Sequence, residues 1–161
     1  MLKILVSSCL LGAAVRHDGR DKKSHHPALQ RWMDEGRVVS VCPEMLGGLG
    51  TPRPPSEIVN DGSRRVISNE GRDVTREFEA GARAVTEQVS EQQVRVAILK
   101  AGSPSCGSSL IYDGTFSKTA IPGEGITTAA LRKMGVRVFS EAEIDAAEAY
   151  VAELENLALS S

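Results

Sequence analysis

The chain has 161 residues, 41% of them hydrophobic and 25% charged, with a formal net charge of −2 at neutral pH. That is enough for one globular domain over residues 1–161 with a core of its own, so neither disulfide staples nor disorder is called for. The near-neutral balance argues against a duplex nucleic-acid binder. The apolar N-terminus, broken by Ser7, Ser8 and Gly12, is too short for a membrane span or export signal, so a cytoplasmic protein with reduced cysteines is expected.

The first predicted strand is "LKILVSS" at 2–8. A helix follows, with Pro27 in its first turn, an apolar stripe of Leu29, Trp32 and Met33, and Gly36 as its stop. "RVVSV" at 37–41 is the second strand. The segment 51–68 opens with prolines that exclude a helix and hold Arg53 on a stiff stretch, then turns at Asn60-Asp61-Gly62 into a small hairpin. Asp73 is placed to cap a long helix whose Val74, Phe78, Ala82, Val85 and Val89 recur every three or four residues. "VRVAILK" at 94–100 is the third strand, and 110–125 reads as an irregular functional loop. A helix over 126–134 stops at Gly135, "VRVFSE" at 136–141 is the fourth strand, and Ile144, Ala147, Val151 and Leu154 form the inner face of a last helix.

Strands this rich in Val, Ile and Leu, alternating with helices, indicate an α/β fold. The expectation is a Rossmann-like parallel sheet of about four strands in the order 2-1-3-4, flanked by helices. Cys9 and Cys42 then follow the first and second strands, and Cys106 lies a few residues beyond the third. In a parallel sheet these ends share one edge, where open α/β sheets bind ligands. Three thiols meeting there suit either zinc with one open position or an iron-sulfur cluster with one iron free of protein ligands; spacing alone leaves both open.

The motifs "SCLLG", "VRHDG", "VCPEMLGGLGTPRPPSEI", "GRDVT", "LKAGSPSCG" and "YDGTF" resemble, in order and across nearly the whole chain, the thiouracil desulfidase family. The resemblance implies a 4Fe-4S cluster bound by Cys9, Cys42 and Cys106, and removal of sulfur from a thiolated uracil or its nucleotide without net redox change. An iron left open would accept the thiocarbonyl sulfur, which is soft enough to seek it.

Glu44, two residues after a ligand in "CPE", is the expected acid and base, and the resemblance also points to it. Ser103 is expected to orient water or substrate, with Ser105 beside it. Arg53 and Lys100 are candidates for a nucleotide phosphate, and Asp18 for the base, although Asp18 equally suits a cap on the turn at Gly19. Gly12, Gly47, Gly48 and Gly107 would let backbone N–H groups approach the cluster or substrate. His17, His25 and His26 read as polar loop or cap residues. A monomer or weak homodimer is expected. Two rival readings remain: a cluster-dependent hydro-lyase, which needs basic residues for substrate carboxylates, and a cluster-carrying sensor, which has no need of Glu44.

Overall fold

Valine, isoleucine and leucine fill the first strand because both of its faces are covered. In the computed structural model, which describes residues 1–160, every residue of β1 (Ile4–Ser7) is buried. A 3-10 turn over Ser8–Leu11 follows, then α1 (Pro27–Asp34), β2 (Val38–Val41) and the single-turn α2 (Pro43–Leu46). Next come β3 (Ser56–Ile58), β4 (Val66–Ser68), α3 (Thr75–Gln92) and β5 (Val96–Leu99). The chain continues through β6 (Leu110–Tyr112), β7 (Ala120–Pro122), α4 (Ile126–Lys133), β8 (Arg137–Ser140) and α5 (Ile144–Ser160). Among the described residues no helix is long and apolar enough to cross a membrane.

The main sheet is parallel and runs β2-β1-β5-β8, which is the expected 2-1-3-4 order once the hairpin strands are set aside. Ile4 pairs with Val38 on one side and Val96 on the other, so the strands finish nearly level. Side chains alternate between two cores, as the two-residue repeat of a strand requires. Ile4, Val6, Val96, Ile98 and Phe139 pack against Leu29 and Trp32 of α1 and Ile144, Ala147 and Val151 of α5. Leu5, Val39, Ala97, Leu99 and Val138 face Val85 and Val89 of α3 and Leu131 of α4. Each buried valine, leucine, isoleucine or phenylalanine among them contributes about 1.5–3 kcal/mol by leaving water, so the sheet is held mainly from its faces.

Three local expectations need correction. Met33 is 42% exposed and stands off the buried stripe of α1, whose first turn is capped by His26 Nδ1 accepting the Ala28 N–H at 3.1 Å. Val74 occupies the N-cap of α3, and Asp73, one residue earlier, accepts the Thr75 N–H at 2.9 Å instead of capping the helix itself. The segment 110–125 is not irregular: β6 and β7 pair antiparallel, with Ile111 opposite Ile121. The hairpin expected in 51–68 is present as β3 and β4, pairing Ser56 with Ser68.

A pair of glycines sets the short helix α2 on α3. A Cβ at Gly47 would lie 1.9 Å from the Glu77 carbonyl oxygen, and one at Gly81 would lie 2.0 Å from that of Pro43. Only a missing side chain at both positions lets the backbones approach this closely. Gly47 therefore serves helix packing, not the approach of a ligand.

Candidate active site

Parallel register carries the three cysteines to one place. Cys9 sits in the 3-10 turn after β1, Cys42 at the N-cap of α2 directly after β2, and Cys106 in the loop after β5. All three line a cavity of about 480 Å³, and none forms a disulfide. Cys9 and Cys106 are buried and Cys42 half-buried. Burial pushes the Cys9 thiol up to about 11, with Cys42 adding to the effect, and pushes Cys42 up as well. Cys106 is pushed up to about 12 by burial, against hydrogen bonds from Ser7 and Ser105 whose hydroxyls both lie 3.6 Å from its Sγ. Thiols raised in this way favour their neutral form, so a metal group that binds them must displace their protons.

The Cys106 loop is fixed from outside. The first N–H groups of a helix have no partner within it, and those of α4 find theirs here. Ile126 donates to the Pro104 carbonyl at 2.9 Å, and Thr127 and Thr128 to that of Ser105 at 3.0 and 3.1 Å. Thr128 Oγ1 adds a bond to the Cys106 carbonyl at 3.0 Å. A Cβ at Gly125 would lie 2.4 Å from the Ser105 carbonyl, so glycine is required for this contact.

Glu44, in the first turn of α2, is held through both oxygens. Its Oε2 accepts from Arg53 Nε at 2.9 Å and from Arg53 Nη2. Its Oε1 accepts from Ser105 Oγ at 3.2 Å and Ser103 Oγ at 3.5 Å. Ser103 Oγ also accepts the N–H groups of Ser105 and Cys106, both at 3.1 Å, tying the carboxylate's hydroxyl partners to the cysteine loop.

The remaining expected residues fall differently. Arg53 directs its other donors to the carbonyls of Val15 and Gly50, each at 3.0 Å, and to Met45 Sδ at 3.8 Å, so its whole guanidinium fork is used within the protein. Lys100 Nζ pairs with Glu141 at 3.2 Å and with the Ala101 carbonyl at 2.8 Å. Asp18 is exposed, accepts the Arg20 N–H at 3.0 Å and is no part of the cavity wall. His26 bonds Asp145 at 2.7 Å away from the cavity, while His17 lines it. Sequence reasoning missed Ser7, Arg16, Glu57, Phe116 and Lys118, which also line the cavity. The motifs "PSEI" and "YDGTF" contain two of these, yet nothing local in either shows that they meet.

Three free thiols on one cavity wall are a donor set that fits a cluster bound by three protein ligands.

A family model described as 2-thiouracil desulfurase matches residues 4–143. Over 149 residues the chain is 41% identical to YbbK of Bacillus subtilis (strain 168), described as an uncharacterized protein, covering 88% of this chain and 97% of that one. It is also similar to the solved structure of TudS, a 4Fe-4S-dependent thiouracil desulfidase. The TM-score is 0.90 at 44% identity, over 94% of this chain and 99% of that one. The matched span holds all three cysteine loops and the whole parallel sheet, and so the chain belongs to the 2-thiouracil desulfurase family.

Proposed function

We propose that this chain is a desulfidase that converts the thiocarbonyl of a thiolated uracil, free or as its nucleotide, into a carbonyl, consuming water and releasing hydrogen sulfide. The observation that carries the reading is the meeting of three thiols from three strand ends with a carboxylate held by Arg53 and two serines, in one cavity. Cys9, Cys42 and Cys106 are the ligands we assign to a 4Fe-4S cluster, which when bound supplies an iron without a protein ligand, a soft Lewis acid suited to sulfur. The reducing cytoplasm, where unpaired thiols stay available, fits such a protein.

The chain's own residues supply the proton chemistry. Glu44 takes one proton from the attacking water at Oε1 and passes it to the departing sulfur, which leaves as hydrosulfide. The water's second proton is lost from the new hydroxyl as the carbonyl forms, so the net products are the carbonyl and hydrogen sulfide. Ser103 and Ser105, 3.0 Å apart, share that oxygen and give the proton a short path along the cavity wall. Arg53 keeps the carboxylate aimed by engaging its other oxygen. It acts as a clamp, and the phosphate role passes to Arg16 and Lys118, wall cations with no ion-pair partner among the described residues.

The test is anaerobic reconstitution, followed by measurement of sulfide and uracil released from free thiouracils beside their nucleotides. Equal yields of sulfide and oxygen product, dependent on bound iron, are expected. Equal turnover by iron-free protein, or none by the fully loaded chain, overturns the reading.

A further inference from the structure

The turn between β6 and β7 is held against the rest of the molecule by one buried carboxylate. Glu57, the central residue of β3, is 9% exposed and lines the cavity. Its Oε1 accepts the Gly114 N–H at 2.9 Å and the Phe116 N–H at 3.2 Å. The turn lies tight against β3, since a Cβ at Gly114 would stand 2.8 Å from the Ile58 carbonyl oxygen. Phe116 and Lys118 adopt φ of 58° and 59°, a left-handed backbone that costs free energy in residues with side chains and persists only where surroundings impose it. Both belong to the cavity wall, and Phe116 remains 37% exposed there.

We propose that Glu57 is a positioning residue for substrate binding: by gripping two N–H groups of the 113–119 turn it presents Phe116 and Lys118 to the cavity. The exposed phenyl ring offers an apolar face to a flat heteroaromatic ring, which gains by covering it. No hydrogen bond or ion pair among the described residues joins Glu57 to Glu44, Arg53, Ser103, Ser105 or the cysteines, so its contribution separates from that of the proton machinery. The proposal rests on the desulfidase reading only for the identity of the ring.

The experiment compares the reconstituted wild type with Glu57→Ala, Glu57→Gln and Phe116→Ala. It reads hydrogen exchange over 113–119, iron content, the Kd for 2-thiouracil by calorimetry, and kcat with KM. In Glu57→Ala, exchange at Gly114 and Phe116 rises and both Kd and KM increase about tenfold, the scale of a lost hydrogen bond to a charged acceptor, while iron content and kcat hold. Glu57→Gln restores all of these, because its amide oxygen accepts the same two N–H groups. Phe116→Ala, at an exposed side chain, weakens binding similarly without faster exchange at Gly114. Unchanged Kd in Glu57→Ala or in Phe116→Ala, a fall in kcat with KM unmoved, or failure of Glu57→Gln to rescue overturns the proposal. A wild type that binds 2-thiouracil but releases no sulfide overturns the desulfidase reading alone, since exchange and Kd still decide the role of Glu57.

Discussion

Arg53 aims each part of its guanidinium at the protein: two donors at Glu44, two at backbone carbonyls and one at Met45. A phosphate reader needs free donors, whereas a clamp needs all of them occupied. Arg53→Ala therefore lowers kcat by about 10- to 100-fold, the usual cost of losing a group that orients a functional ligand or side chain. The loss is equal on a free thiouracil and on its nucleotide; a loss confined to the nucleotide would return the arginine to the phosphate. Arg53→Lys recovers little, because an ammonium cannot reproduce the planar fork. Glu44→Gln, which leaves an amide unable to take the proton, lowers kcat by about 10²- to 10⁴-fold with iron content unchanged. Full activity in that variant would remove Glu44 from the chemistry, and steady-state kinetics on iron-matched samples reads the difference.

At the level of elements, α2 carries Cys42 at its N-cap and Glu44 in its first turn, so whatever seats α2 seats both. Gly81→Ala puts a methyl group where the Pro43 carbonyl now lies, and that contact is backbone, which yields only by moving the helix. The variant is destabilised by about 1–3 kcal/mol in urea unfolding and retains less iron after reconstitution, as overpacking predicts. The turn after β3 permits a pH test. The Ser63 hydroxyl, the Ser63 N–H and Arg65 hold the Asp61 carboxyl down at about 2, against an ordinary 3.8. A carboxylate so depressed stabilises the fold above the unfolded value, and its contribution is lost as pH falls through the folded one. The stability gap between wild type and Asp61→Asn accordingly narrows from pH 4 towards pH 2, and an NMR titration places the Asp61 midpoint near the lower figure.

For the whole molecule, the central strands are covered by helices on both faces, so a position's cost depends on depth in that sandwich more than on hydropathy. Ile98→Ala, at a residue with no exposure, costs about 2–5 kcal/mol. Met33→Ala, at an equally apolar residue standing in solvent, stays within about 0.5 kcal/mol. Chemical denaturation of the two variants tests the assignment. The same organisation explains which parts of the site were legible. Cys9, Cys42 and Cys106 follow β1, β2 and β5, and parallel strands send their ends to one edge, so three distant positions converge by topology alone. The β6–β7 hairpin was illegible because "LIY" and "AIP" are too short to show a period, and they become strands only by pairing with each other.

Composition and pattern determined the parallel sheet, its strand order, the helices on each side and the edge at which the thiols gather, because each depends on local periodicity and on the handedness of crossovers. Tertiary structure decided that Arg53 grips Glu44, that Lys100 turns to Glu141, that Asp18 stays outside the wall and that Glu57 holds a turn 57 residues away. Those outcomes depend on which polar groups become neighbours once the backbone has closed. A buried donor or acceptor must find a partner among whatever the fold brings within about 3 Å, and no local pattern along the chain records that choice.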